Sequence, residues 1–317
     1  MLPRPLEGVL CAGNIVFDIL VRPVERITWN TTTWVDSLEQ HLGGNGASTS
    51  FALGRLGVPV RLLGMVGRDS FGDELLARLN SVGVDTGWVT RSQASTATTV
   101  ALVNALGDRF LLHRAGASME AFAEPVQFSP AVLQGFSHFH LANAFGVPGM
   151  RRHAAESLCR ARAAGLTTSM DAGWDSRGRW LEDLGSSLPY TDLLFVNEDE
   201  ARRLSGLDDP IPAAQKLREL RAQSVVVKLG GNGCAVVFSD AEFHAPAFEV
   251  QALDTTSAGD GFVGGFLAAL HRRRSPNQAA RFANAVAALS VQRLGATAGL
   301  RSFTETDAWM EAAKLRT

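Results

Sequence analysis

The chain has 317 residues, with 30 Lys plus Arg against 32 Asp plus Glu and a formal charge of −2. At 46% hydrophobic and 20% charged residues it is a globular protein long enough to bury a core without covalent staples. Its near-zero charge gives no footprint for nucleic acid or an anionic membrane, and no run of ~18 apolar residues exists to span a bilayer. Residues 1–18 lack a basic stretch followed by an apolar one, and Gly13 and Asn14 interrupt them, so no secretory leader is expected. Cys11, Cys159 and Cys234 are far apart in apolar or helical surroundings. Free thiols in a reducing, cytoplasmic setting are expected rather than disulfides.

Short apolar runs at 9–12, 60–66, 137–141, 166–171, 193–196 and 225–229 end near Gly, Asn or Asp and predict buried parallel strands. Between them, patterns at 47–56, 71–82, 150–164, 197–204 and 213–221 predict helices, with Gly57, Gly83, Gly165 and Gly206 where C-terminal caps belong. Such alternation argues for a parallel sheet covered on both faces. Two segments break it: β-branched and aromatic residues in a polar setting within 19–42, and runs 96–104 and 109–114 flanking Ala105-Leu106-Gly107-Asp108, which read as a hairpin. Together they predict a small accessory sheet, read as an active-site cover. The last third predicts helices at 258–274, 276–294 and 304–316, with Arg272-Arg273-Arg274 at a helix C-terminus that suits cations.

The stretch Asp254-Thr255-Thr256-Ser257-Ala258-Gly259-Asp260-Gly261 sets small residues before a strongly apolar helix. Backbone N–H groups at that helix start can face outward and make an anion site, with Asp260 in or near the first turn. Gly43-Gly44-Asn45-Gly46 opens the helix at 47–56 without the third glycine of a dinucleotide fingerprint, and no clear buried strand leads into it. It reads as a tight polar turn approaching a ligand. A Walker A sequence, H-E-x-x-H, paired C-x-x-C and a nucleophile elbow are all absent. Lys228, one of three lysines, is readable as a phosphate contact or as a snorkelling surface residue. His113 and Arg114, at the end of a lid strand, are readable as an exposed hairpin end or as a substrate contact.

These two stretches resemble the signatures of the ribokinase-like, phosphofructokinase-B type sugar kinases: a di-glycine turn in the first third and a D-T-x-[GA]-A-G-D segment near residues 250–260. Asn14 and Asp18 after the first strand, the N-x-x-E spacing of Asn197 and Glu200, Lys228-Leu229-Gly230-Gly231-Asn232-Gly233, and the stretches around Asn284 and Gly295 extend the likeness in order along the chain. The resemblance implies a single α/β domain over 1–317. Its doubly wound, mostly parallel sheet would be flanked by helices, with a small β-sheet lid from residues 15–42 and 95–117 closing over the sugar. It implies ATP and Mg²⁺, with Asp260 taking the proton of a sugar hydroxyl and Ser257, Ala258, Gly259 and Asp260 forming the catalytic anion hole. Asn14, Asp18, Gly43, Gly44 and Asn45 would face the sugar. Asn197, Lys228, Gly230, Gly233 and Asn284 would face the nucleotide, and Asn197 and Glu200 would hold Mg²⁺ through water. Asp254, Thr256, Ser290, Arg293, Gly295 and Gly299 fall where relatives bind a monovalent cation such as K⁺, and a homodimer through the lid is implied. This chain departs from the family at Ser257 (often Gly), at Ser48 (often Asn) and at Asp171-Ala172-Gly173 (often D-P-N). A nucleoside kinase, with tryptophans such as Trp29, Trp34 and Trp174 as a stacking wall, is the alternative of the same fold. A non-catalytic sugar- or nucleotide-binding protein is the alternative of another class.

Overall fold

An apolar run without polar alternation must be covered on both faces, and a parallel sheet between two helix layers does this. The computed structural model describes residues 6–316. In chain order come β1 (Val9–Ala12), β2 (Val16–Arg22), β3 (Ser37–Gly43), α1 (Asn45–Arg55), β4 (Val60–Gly67), α2 (Ser70–Asn80), β5 (Val84–Asp85), β6 (Val89–Ser92), β7 (Ala97–Val103) and β8 (Arg109–Arg114). There follow α3 (Pro130–Leu133), β9 (His138–Leu141), α4 (Pro148–Ala163), β10 (Thr167–Asp171), α5 (Leu181–Leu184), β11 (Leu193–Asn197), α6 (Glu198–Ser205) and α7 (Pro210–Glu219). Last are β12 (Val225–Lys228), β13 (Cys234–Val237), β14 (Glu242–Ala245), α8 (Ala258–His271), α9 (Pro276–Ser290) and α10 (Phe303–Ala312).

The main sheet runs β14-β13-β12-β11-β10-β9-β1-β4-β5, with β6 also beside β4. It is parallel from β12 to β5, and β13 and β14 add antiparallel pairs at one edge. Helices α1, α2 and α8–α10 cover one face and α4–α7 the other, each over its own apolar cluster. The six predicted strands stand within a residue or two of their apolar runs. Residues 258–274, 276–294 and 304–316 are helical over shorter spans than expected, ending at His271, Ser290 and Ala312. Beyond the first of these, Arg272 and Arg274 fold over the Phe303 ring, at 5.2 and 4.8 Å, so this basic run covers apolar surface. The four expected cap glycines all have positive φ.

The lid is a second sheet, ordered β3-β2-β7-β8, with β2 and β7 parallel and both outer pairs antiparallel. A strand, β3, leads into Gly43-Gly44, and as expected it is not a clear buried one: only its Leu42 and Gly43 are buried. It carries polar residues because it is a lid edge with several exposed positions, so it lacks the apolar run of a buried strand. Cys11, Cys159 and Cys234 are free thiols, the first and last buried. No helix among the described residues is long and apolar enough to cross a membrane.

Candidate active site

On either side of β1 the chain leaves in opposite directions, to β4 and to β9, and ligands of open α/β sheets bind outside the strand ends at such a reversal. Here the carboxyl ends of the strands carry Asn14 after β1, Asn143 after β9, Asp171 on β10, Asn197 on β11 and Lys228 on β12. The start of α8 lies against them: a Cβ on Gly259 would sit 3.3 Å from Lys228 Nζ.

Asp260, in the first turn of α8, is 5% exposed. Its Oδ1 accepts from Asn45 Nδ2 at 2.9 Å, and Asn45 Oδ1 accepts from Asn143 Nδ2 at 2.7 Å. An ionised carboxylate only accepts, so these bonds fix both amides: Asn45 turns its NH₂ toward Asp260 and its oxygen toward Asn143. Asn45 N–H in turn donates to Asn14 Oδ1 at 3.0 Å. Asn143 holds a left-handed φ of 62°, and a Cβ on Gly173 would collide with its amide, so the small residue at 173 makes room for Asn143. Burial, with Asp171 adding to it, pushes the Asp260 carboxyl up to about 7 against the lowering effect of Asn45, Lys228 and Ser257.

Ser257 caps α8 with a left-handed φ of 54°, a conformation that favours glycine, and its Oγ accepts from Ser48 Oγ at 3.3 Å. Of the expected anion-hole donors, Ala258 N–H donates to Thr255 O at 3.3 Å. The N–H groups of Gly259 and Asp260 open a first turn that offers them no intrahelical acceptor.

Lys228 is not a snorkelling surface residue. Its Nζ meets Asp171 Oδ2 at 2.6 Å, with the side chains 14% and 7% exposed. Burial alone would lower its pKa, but Asp171, Glu200 and Asp260 outweigh that and raise it. Asn197 and Glu200 form a capping box at α6: Glu200 N–H donates to Asn197 Oδ1, and Asn197 N–H and Nδ2 donate to the two Glu200 oxygens at 2.8 and 2.9 Å. Burial and Asp171 push the Glu200 carboxyl up. Three acids thus share one ammonium, and a divalent cation arriving with phosphates would offset the surplus charge. Among the described residues no three His, Cys, Asp or Glu side chains form a metal cage.

Asn197, Lys228, Gly230, Gly233 and Asn284, expected at the nucleotide, all line one cavity of about 390 Å³ that reaches Ala258 and Gly259. Asn284 is anchored there by Nδ2 donating to Ala245 O and Pro246 O at 3.0 and 3.1 Å. On the lid side, a Cβ on Gly43 would run into the Asp18 carboxylate, so only glycine lets β3 pass this close. Burial pushes the Asp18 carboxyl up to about 6, with Asp254 adding to it and Thr99 opposing.

Of the residues expected at a monovalent cation, Asp254, Thr256 and Gly295 come together. Asp254 Oδ1 accepts from Thr256 N and Oγ1 at 2.9 and 2.6 Å, and its Oδ2 accepts from Gly295 N at 2.9 Å. Ser290 Oγ donates to Ala287 O at 2.8 Å, Gly299 packs against Leu289 and Ser290, and the Arg293 side chain is exposed. His113 contacts Thr99 Oγ1 at 3.1 Å, and Arg114 donates to Thr96 O and Thr98 Oγ1, so both are engaged within the lid. Trp29 and Trp34 are 87% and 89% exposed, and Trp174 packs edge-on against Trp180.

Sequence reasoning missed Asn143, the role of Asp171 as partner of Lys228, and Arg109 of the lid, which reaches Asp254. Asn143 had a usable signal, an Asn just past a buried strand and close to a glycine, where left-handed turns form.

A family model described as pfkB family carbohydrate kinase matches residues 7–302. An ATP-dependent ribose-1-phosphate kinase of Halopiger xanaduensis is 32% identical over 292 residues, covering 91% of this chain and 93% of that protein. A ribokinase of Mus musculus is 31% identical over 314 residues, covering 92% and 93%. The solved structure of a fructokinase with bound ATP from Xylella fastidiosa has a TM-score of 0.81 at 26% identity, over 96% of this chain and 98% of that one. The chain belongs to the pfkB carbohydrate kinase family, phosphotransferases that act on a hydroxyl group.

Proposed function

We propose that the protein transfers the γ-phosphoryl group of ATP, with Mg²⁺, to a hydroxyl of a small sugar or sugar derivative, Asp260 acting as general base. The observation that carries this is a buried carboxylate pinned through one oxygen by Asn45 at the N-terminus of an apolar helix, beside a lysine and a cavity of nucleotide size. The sugar lies between the lid and the strand ends, facing Asp18, Asn14 and the Gly43–Asn45 turn. Its reacting hydroxyl gives its proton to Asp260 Oδ2, the oxygen that Asn45 does not hold, as its own oxygen bonds to the γ-phosphorus and the bond to ADP breaks. The Gly259 and Asp260 N–H groups and the Lys228 ammonium receive the charge on the transferring group. Asn197 and Glu200 would hold Mg²⁺ through water, and the ion would supply positive charge against the phosphates of ATP. A monovalent cation such as K⁺, held largely by carbonyl oxygens around Asp254, Thr256 and Gly295, is part of the same proposal, and turnover indifferent to K⁺ would remove it.

Excess chelator should abolish turnover and added Mg²⁺ restore it; full activity in chelator would contradict the metal assignment. The pH profile is a second check. Asp260 as base must be ionised, and Asp18 accepts sugar hydroxyls best as a carboxylate. With the two near 7 and 6, kcat/KM should climb about tenfold per pH unit from 6 to 7, more steeply below 6, and level off above 7. A profile flat from pH 5 to 8 would exclude an acid of raised pKa from the reaction.

We also propose a homodimer through the lid. Strand β8 is an edge strand with Phe110, Leu111 and Leu112 exposed by 57%, 59% and 52%, and apolar unpaired edges are templates for a second copy. Sedimentation should give twice the chain mass, and Leu111→Arg should halve it; a monomeric parent would end the proposal. Buried thiols Cys11 and Cys234, each pushed up to about 12 by burial, suit a reducing compartment that supplies ATP, and the cytoplasm is the proposed location.

A further inference from the structure

The lid does more than cover the strand ends. Its hairpin turns over residues 104–108, and β8 then begins with Arg109, at the end of the lid far from Val16 and Gly43. The guanidinium leaves the lid and lands on the loop before α8. Nη1 bonds Thr256 Oγ1 and lies 3.5 Å from Asp254 Oδ1, while Nη2 bonds Thr255 Oγ1 at 3.3 Å. The Asp254 side chain is 7% exposed and also holds Thr256 N and Gly295 N, so lid, loop and the turn after α9 meet on one carboxylate. Thr256 is followed directly by the left-handed Ser257 and by the N–H groups at the start of α8.

Resting on the kinase reading above, we propose that Arg109 is a positioning residue that makes the anion hole depend on the lid being down. A guanidinium never loses its charge in the working pH range and presents several donors in a rigid fork, so it can hold a carboxylate and two hydroxyls at once. Seated, it fixes Asp254 and Thr256 and thereby holds Ser257 in its left-handed turn, with Gly259 and Asp260 N–H aimed at the phosphoryl group. Lifted with the lid, it leaves that loop tied through Asp254 and the Ser48–Ser257 contact, with its own hold on Thr255 and Thr256 gone. Sugar binding is thus coupled to assembly of the phosphoryl site, and water reaching ATP without sugar meets an incomplete site.

The test compares the parent, Arg109→Ala, Arg109→Lys, Asp254→Asn and the Arg109→Ala/Asp254→Asn double variant on a sugar the parent phosphorylates. Arg109→Ala should lower kcat by about 10–10²-fold, the scale of a small misplacement at the reacting centre, with the KM for ATP changed by less than about threefold. Guanidinium chloride well below denaturing concentration should restore several-fold of the loss, and sodium chloride of equal ionic strength should not. Lysine, a point charge without the fork, should fall between, and Asp254→Asn should lower kcat further in the Arg109→Ala background, where Asp254 still holds Thr256 N and Gly295 N. An Arg109→Ala kcat within about twofold of an active parent would overturn the proposal. So would a loss confined to the sugar KM without guanidinium rescue, because the contact would then serve the lid alone. A parent inactive on every sugar would overturn the kinase reading instead.

Discussion

Replacing Asp260 by Asn should lower kcat by about 10²–10⁴-fold while ATP and sugar affinities change by less than roughly tenfold. A sugar hydroxyl is a poor nucleophile at neutral pH, and a carboxylate that takes its proton as the new bond forms removes about 3–5 kcal/mol of barrier. Asn keeps the shape and can still meet the Asn45 amide through its oxygen, but it has no basic oxygen to offer. Misfolding is not a competing explanation. The Asp260 pKa is raised from 3.8 to about 7, so the folded state holds a proton that the unfolded chain has released, and stability falls as pH climbs through that window. Asn carries no such charge, so above pH 7 the variant should be at least as stable as the parent. A kcat within about threefold of the parent would make Asp260 a helix-start acid and no base.

Lys228→Met should show up first in stability. The lysine neutralises a cluster of Asp171, Glu200 and Asp260, and removing one partner of a buried pair leaves charge without compensation, typically costing about 3–5 kcal/mol. Urea unfolding at pH 8 should give a loss of that order. It should shrink toward pH 5, because Glu200 and Asp260, already pushed up, then take protons readily. Adding Asp171→Leu should recover part of the loss. A deficit below about 1 kcal/mol would mean the ammonium is well solvated and its pair a surface one. The kcat of the single variant should fall as well, since Nζ borders the start of α8.

What the sequence made legible follows from burial. Strands β1, β4 and β9–β12 sit between two helix layers, so they show as unbroken apolar runs, and the small residues around Ser257 stand out because packing does not require them. β13 and β14 were missed: each is four residues long at the antiparallel edge, with the bend at Ser239 and Asp240 between them. β3 shows no buried apolar run because its polar, partly exposed residues belong to a lid. Side-chain partners were the least legible. Lys228 and Asp171 lie on β12 and β10, with only β11 between them in the sheet, but 57 residues apart in the chain, and nothing local to either names the other. The same holds for Arg109, which reads as a hairpin residue until the lid is folded over Asp254.

The central claim is tested most directly by incubating the parent with ATP, Mg²⁺ and a panel of pentoses, hexoses, ketoses, sugar phosphates, sugar acids and nucleosides, following phosphorus by NMR. The account predicts a new phosphate-ester resonance from at least one sugar or sugar derivative, growing in step with ADP and absent with Asp260→Asn. A folded protein that yields no new ester across the panel, or one that yields inorganic phosphate alone, would contradict it.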